Sequence, residues 1–186
     1  YTAYVCAESL DFADAIFLLR ERGNAMQQAV PIGEGSMVAV LGLEFNELIK
    51  LIKEFNNKND NGTCEAANDN ADGQVIVSGD VKSINKFQQE LMEKKIKSIP
   101  LKVSAPFHCS LMKKAAEKMK DKIENSNFVK PTPNIISNVT AKAESDINKI
   151  KPLLIDQITS KVRWRESINY MISNGVTKFL EIGPGK

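Results

Sequence analysis

Histidine is almost missing from this chain: its 186 residues hold one, His108. Imidazole is the only side chain whose ordinary pKa lies near neutrality, so any histidine-based proton transfer here depends on that residue. Cysteine is scarce as well. Cys6, Cys64 and Cys109 are odd in number, widely spaced and without a C-x-x-C pair, which argues against a disulfide framework or a zinc site and fits a reducing compartment. Also missing is a G-x-S-x-G elbow, the ordinary way to expose an activated serine between a strand and a helix. No apolar run reaches the length of a membrane span, and no basic-then-apolar leader opens the chain. Charge of either sign is not in excess, with 25 Lys+Arg against 23 Asp+Glu and no basic block, so nucleic acid is not indicated as a partner.

What remains is a globular composition, 42% hydrophobic, able to bury one substantial core or two small ones. There is no internal repeat and no low-complexity segment. The chain opens on Tyr1 rather than Met and closes on Gly183-Pro-Gly-Lys186 directly after a strand-like run. Both ends read as cuts, which suggests the interior of a longer protein.

Residues 1–8 are small and apolar enough for a packed helix, and Asp11 is placed to cap a second one running through Met26. On that helix Ala15, Leu18, Arg22 and Met26 share a stripe, with Arg22 the one charge among apolar neighbours. Two readings follow. Arg22 snorkels at the edge of the core, or it grips an anion, for which its planar fork suits a carboxylate. Beyond the 31–35 loop come a strand (37–43), an amphipathic helix (45–55, with Leu48, Leu51 and Ile52 inward) and a polar strand (64–70). Asn56 to Asn61 reads as an exposed loop. The Asp72-Gly73 turn leads into a strand (74–78), a helix (81–95) and a last strand (98–103). That β-α-β-β-α-β order is the signature of a ferredoxin-like unit, here proposed as an insert over 36–103.

After His108 the spacing of Met112, Ala115 or Ala116, Met119 and Ile123 predicts a helix. Residues 134–138 look like a buried strand, and Pro152 fits the first turn of a short helix carrying Gln157. Trp164, Ile168 and Met171 should share one face of a helix ending near Gly175, with a further strand at 176–182. Strands alternating with helices outside the insert argue for a parallel sheet. From these residues alone the reading ends at an α/β protein with an inserted ferredoxin-like unit, whose His108 is either a hydrogen-bonded structural imidazole or an acid-base group. Neither Ser110, two residues from His108, nor any of the three cysteines sits in a nucleophile motif.

Several segments in order resemble a known family. They are Phe12-Ala-Asp-Ala15 through Arg22-Gly23 and Met26-Gln27, Gly35-Ser-Met-Val-Ala-Val-Leu-Gly-Leu43, Gly73-Gln-Val-Ile-Val-Ser-Gly79, Ala105-Pro-Phe-His-Cys-Ser-Leu-Met112, Val162-Arg-Trp164 and Glu181-Ile-Gly-Pro-Gly-Lys186. Together they are similar to the malonyl-CoA:acyl-carrier-protein transacylases of fatty-acid biosynthesis. The resemblance implies an α/β-hydrolase-like large subdomain, its parallel sheet incomplete here, in two parts, 1–35 and 104–186, around the ferredoxin-like insert. It implies ping-pong acyl transfer: a serine takes malonyl from coenzyme A and hands it to the phosphopantetheine thiol of acyl carrier protein. That serine lies in the family's G-H-S-L-G-E, expected directly before Tyr1, and the family's oxyanion-hole glutamine would also lie upstream.

Three roles map onto residues present. His108 matches the general base, Arg22 the partner of the malonyl carboxylate, and Gln157 the residue whose backbone carbonyl orients the histidine. Met26 and Asn70 match acyl-pocket positions, and Phe107 resembles the bulky residue of malonyl-selective relatives. Some relatives have serine before the histidine, where this chain has Phe107. Lys94, Lys95 and Lys97 suit either docking of an acidic carrier protein or a solvated helix end. The resemblance implies no bound cofactor, a coenzyme A thioester as substrate, no nucleic acid or membrane partner, and a cytoplasmic location or an organelle housing type II fatty-acid synthesis. An acyltransferase domain of a polyketide synthase, or a non-catalytic carrier-protein docking module, remain the alternatives.

Overall fold

The computed structural model describes residues 1–59 and 62–182. Its first helices are set by simple signals. After α1 (Thr2–Cys6), the Asp11 carboxylate accepts the Ala13 N–H at 2.8 Å and starts α2 (Phe12–Gln28). The stripe of small and apolar residues then turns inward, burying Ala15, Leu18 and Met26.

Next come β1 (Gly35–Leu41), α3 (Phe45–Lys58), β2 (Cys64–Ala71), β3 (Gln74–Asp80), α4 (Val81–Glu93) and β4 (Lys97–Pro100). The strands form one antiparallel sheet in the order β2-β3-β1-β4. Successive side chains on a strand face opposite ways, which explains the unbroken apolar run of β1. Val38 and Val40 meet α3 and α4 through Leu48, Ile52, Phe55, Ile84, Phe87 and Leu91, whereas Met37 and Ala39 pack below with Ala67 and Ile76. Phe55 and Phe87 meet edge-on, with ring centroids 5.2 Å apart. Asp80 caps α4, accepting the N–H of Ser83 at 2.9 Å, and also takes the Thr63 N–H at 2.6 Å. Gly79 must be glycine because a Cβ there would lie 1.7 Å from the Thr63 carbonyl oxygen.

After a short 3-10 turn (Ser110–Met112) follow α5 (Lys113–Glu124), β5 (Ile135–Ser137), β6 (Lys142–Glu144), α6 (Ile147–Asp156) and α7 (Trp164–Ser173). α5 packs between α2 and α6. A second core there joins Leu18, Met26, Met112, Met119, Ile123, Ile150 and Ile158. Phe107 touches this core and also the lower face of the sheet, so it sits at the seam between them.

The α/β character holds, but several expectations need correction. Both sheets among the described residues are antiparallel, and the one parallel contact is an isolated bridge between Asn68 and Val162. Residues 176–182 form no strand: a ladder needs a hydrogen-bonded neighbour, none is paired with them among the described residues, and Leu180 is 84% exposed. β5 is paired with β6 rather than lying in a parallel sheet, and is only partly buried. Pro152 lies inside α6 rather than in its first turn, because Asp146 caps that helix at the Asn148 N–H. α3 runs to Lys58 through what read as the loop at 56–61, of which residues 60 and 61 lie outside the described residues. α4 stops at Glu93, and β4 ends at Pro100. Trp164 is 51% exposed and Ile168 and Met171 are half-buried; the fully covered residue of α7 is Ser167. Within the Glu181–Lys186 motif, residues 183–186 lie outside the described residues.

Candidate active site

His108 lies on the loop between β4 and α5, and three contacts fix that loop. Pro106 packs directly over Gly35 at the start of β1, where a Cβ would come within 2.1 Å of the proline ring. Gln27 of α2 donates to the Ser104 hydroxyl at 2.6 Å. On the far side of the imidazole, Glu65 of β2 accepts from both the backbone N–H and the hydroxyl of Ser110. His108 itself adopts φ +58°, a left-handed conformation that costs a side-chain-bearing residue energy and that histidine tolerates better than most.

The ring nitrogen Nδ1 lies 3.1 Å from the backbone oxygen of Gln157. Gln157 is the C-cap of α6, and the last carbonyls of a helix have no partner within it. That oxygen is therefore free to accept. A carbonyl only accepts, so the neutral ring must carry its proton on Nδ1, leaving the Nε2 lone pair available. Among the described residues, no carboxylate acts on the ring. The C-terminal end of the α6 dipole, worth roughly half a negative charge, can stabilise the imidazolium in its place.

Burial lowers the pKa of His108, and the nearby positive charge of Arg22 lowers it further, against the opposing effect of the Gln157 carbonyl and the Ser160 backbone. The imidazole is thus neutral at pH 7 and competent as a base. Arg22 is half-buried, its own pKa lowered by desolvation, and it makes no ion pair among the described residues. A desolvated cation with no carboxylate beside it among the described residues can pair with an anion.

The other expected residues divide. Phe107 adjoins the imidazole, half-buried, while Met26 is fully within the helical core. Asn70 lies half-buried near the end of β2, with no hydrogen bond to His108 or Arg22 among the described residues. Lys94, Lys95 and Lys97 are exposed; Lys95 and Lys97 line a groove of about 660 Å³ with Gln88, Gln89 and Met92. That groove borders β4, at the opposite edge of the sheet from β2, which holds the His108 loop. Cys64, pushed up to about 12 by burial, and Cys109, also raised by burial, offer no thiolate. Among the described residues no cluster of His, Cys, Asp and Glu could hold a metal ion.

Residue patterns missed Asp69 and Arg165. The Asp69 carboxylate is fully buried and is gripped by the Arg165 fork, Nε to Oδ1 at 2.9 Å and Nη2 to Oδ2 at 2.8 Å. The one available signal was an acid in the middle of a strand that the pattern places half inside.

No protein-family model matches the chain. Its whole length is 42% identical to the malonyl CoA-acyl carrier protein transacylase of Bacillus subtilis (strain 168) over 187 aligned residues, covering 58% of that protein. The structure superposes on FabD from Acinetobacter baumannii with a TM-score of 0.95 at 38% identity, covering all of this chain and 59% of the other. It also superposes, with a TM-score of 0.93 at 35% identity, on a malonyl-transacylase solved in complex with a type II PKS acyl-carrier protein, covering all of this chain and 59% of that one. The chain thus spans about three-fifths of the length of the curated relatives it matches. By sequence and fold it is similar, along its whole length, to about three-fifths of the length of the malonyl CoA-acyl carrier protein transacylases.

Proposed function

We propose that these residues supply the base, its orienter and the carboxylate clamp of an acyltransferase of fatty-acid synthesis. It moves malonyl from malonyl-CoA to the phosphopantetheine thiol of acyl carrier protein through a malonyl-serine intermediate. The observation that carries this is Arg22, a half-buried cation without an acidic partner among the described residues, close enough to His108 to depress its pKa.

The nucleophile is the serine of the family's G-H-S-L-G-E, a motif not found in these 186 residues. Nε2 of His108 takes the hydroxyl proton as the serine oxygen attacks the thioester carbonyl, and the imidazolium returns it to the departing thiolate of coenzyme A. In the second half, the carrier thiol gives its proton to Nε2 and attacks the malonyl ester, and the serine leaves reprotonated. The Gln157 carbonyl holds Nδ1–H throughout. Arg22 pairs with the free malonyl carboxylate, Phe107 crowds branched acyl groups, and Met26 and Asn70 shape the acyl pocket. Lys94, Lys95 and Lys97 form a basic rim for the acidic carrier. No cofactor is bound, and the setting is cytoplasmic or an organelle with type II synthesis; no helix of the described structure is long and apolar enough to cross a membrane.

A second reading, the same transfer in polyketide assembly, draws on the likeness to the transacylase solved with a PKS carrier. Transfer rates to fatty-acid and polyketide carriers separate the two. The transferase reading itself is tested by incubating the full-length protein with malonyl-CoA and weighing it. A malonyl adduct is expected in the unmodified protein and absent in His108→Ala, and normal adduct formation without His108 would place the base elsewhere.

A further inference from the structure

The contact between His108 and Gln157 joins segments 49 residues apart in sequence, and both segments are tied to β2. On the imidazole side the tie is Glu65, which holds Ser110 two residues after His108. On the carbonyl side it is a backbone bridge: the Val162 N–H donates to Ala67 at 2.8 Å, and the Asp69 N–H donates to Val162 at 2.8 Å. The Arg165 fork on Asp69 lies just beyond. Residues 157–162 thereby turn off the end of α6 and reach the edge of β2, with backbone groups of Gln157 and Ser160 acting on the imidazole.

The chemistry of Asp69 makes this more than a packing contact. Its cross-strand partner on β3, Val75, is apolar and fully buried. A buried carboxylate is costly unless paired, and an apolar side chain would pack such a site at least as stably. An ion pair there adds direction instead, because the guanidinium fork accepts a carboxylate in one plane.

We propose that β2 is the frame that sets the approach of the Gln157 carbonyl to His108, with Glu65 and Asp69 as positioning residues and the Asp69–Arg165 fork as the lock. The activity arm of its test rests on the malonyl-transferase reading, whereas the spectroscopic arm does not.

The frame is tested in the full-length protein labelled with nitrogen-15 at histidine, with the His108 signal assigned by its loss in His108→Gln. The unmodified protein should show His108 protonated on Nδ1 alone. Asp69→Asn keeps the shape and removes the charge; Glu65→Gln does the same on the other tie. Each should give a mixture of the two tautomers, with kcat reduced roughly tenfold to a hundredfold and KM little changed. Arg165→Lys, which keeps the charge and loses the fork, should fall between. A single Nδ1–H tautomer in both Asp69→Asn and Glu65→Gln, with native circular dichroism, overturns the frame. Should Asp69→Asn fail to fold, Glu65→Gln and Arg165→Lys decide by the same signal. If the unmodified protein transfers no malonyl while the tautomer still shifts in the variants, the transferase reading fails and the frame stands.

Discussion

At the scale of single residues, the neutral state of His108 has consequences for pH in two measurements. With an acetyl donor, which lacks the distal carboxylate, kcat/KM of the full-length protein should fall on the acid side with a midpoint below the ordinary histidine value of about 6.5. Arg22→Ala removes a neighbouring positive charge and should move that midpoint upward, while malonyl transfer drops by the roughly tenfold to hundredfold worth of a charge-assisted pair. A midpoint that stays put would mean the Arg22 charge does not reach the imidazole. Stability follows the same sign. Below about 6.5 the unfolded chain binds a proton that the folded one refuses, so the contribution of His108 is complete above that pH and is lost as pH falls toward the lower folded value. Urea midpoints of the unmodified protein and His108→Gln should converge on that acid side. Arg22 was legible in sequence as a charge on an apolar stripe, because helical periodicity is strict enough to expose an intruder. Gln157 was not legible from residue type, since its backbone acts rather than its side chain, and only the family resemblance pointed to it. For the Asp69–Arg165 pair, 96 residues apart, the acid within a strand was visible but nothing local named its partner.

At the scale of elements, Asp80 does two jobs and Asp11 one. Desolvation alone would raise the Asp80 carboxyl, but the hydrogen bonds from Thr63 and Ser83 outweigh it and hold the pKa below the ordinary 3.8. Losing a helix cap costs about 1 kcal/mol. Asp80→Ala also leaves the Thr63 N–H without its acceptor, so it should lower the urea midpoint further than Asp11→Ala does. The Asp80 contribution is present above the unfolded carboxylate value and fades as pH falls through the folded one, so the difference between the two variants should shrink in acid. Equal losses at neutral pH would mean the Thr63 bond adds nothing. Most elements were visible in sequence because each carries its own period or cap. At 176–182 the expectation failed because apolar patterning says that a segment wants a partner, not which segment lies beside it.

At the scale of the whole molecule, the lysines and the imidazole lie by opposite edges of one sheet. If Lys94, Lys95 and Lys97 steer an acidic carrier protein, changing all three to Glu should slow association and flatten its dependence on salt, leaving dissociation nearly unchanged, as stopped-flow mixing would show. Unaltered association would return them to the role of a solvated helix end. The sheet also bears on how the chain finds its fold. α2 and α5 pack together, yet the whole β1–β4 unit lies between them in sequence. The two ends of that unit are stitched side by side, the Leu101 N–H bonding the Met37 carbonyl at 2.9 Å. When the sheet forms first, the helices need close only the short linkers flanking it. Loop entropy grows with the logarithm of length, so this lowers the closure cost by about 1 kcal/mol. The contact order felt by the helical core is then that of a much shorter chain, and a lesion that delays the sheet, such as Gly79→Ala, should slow the docking of helices that it never touches.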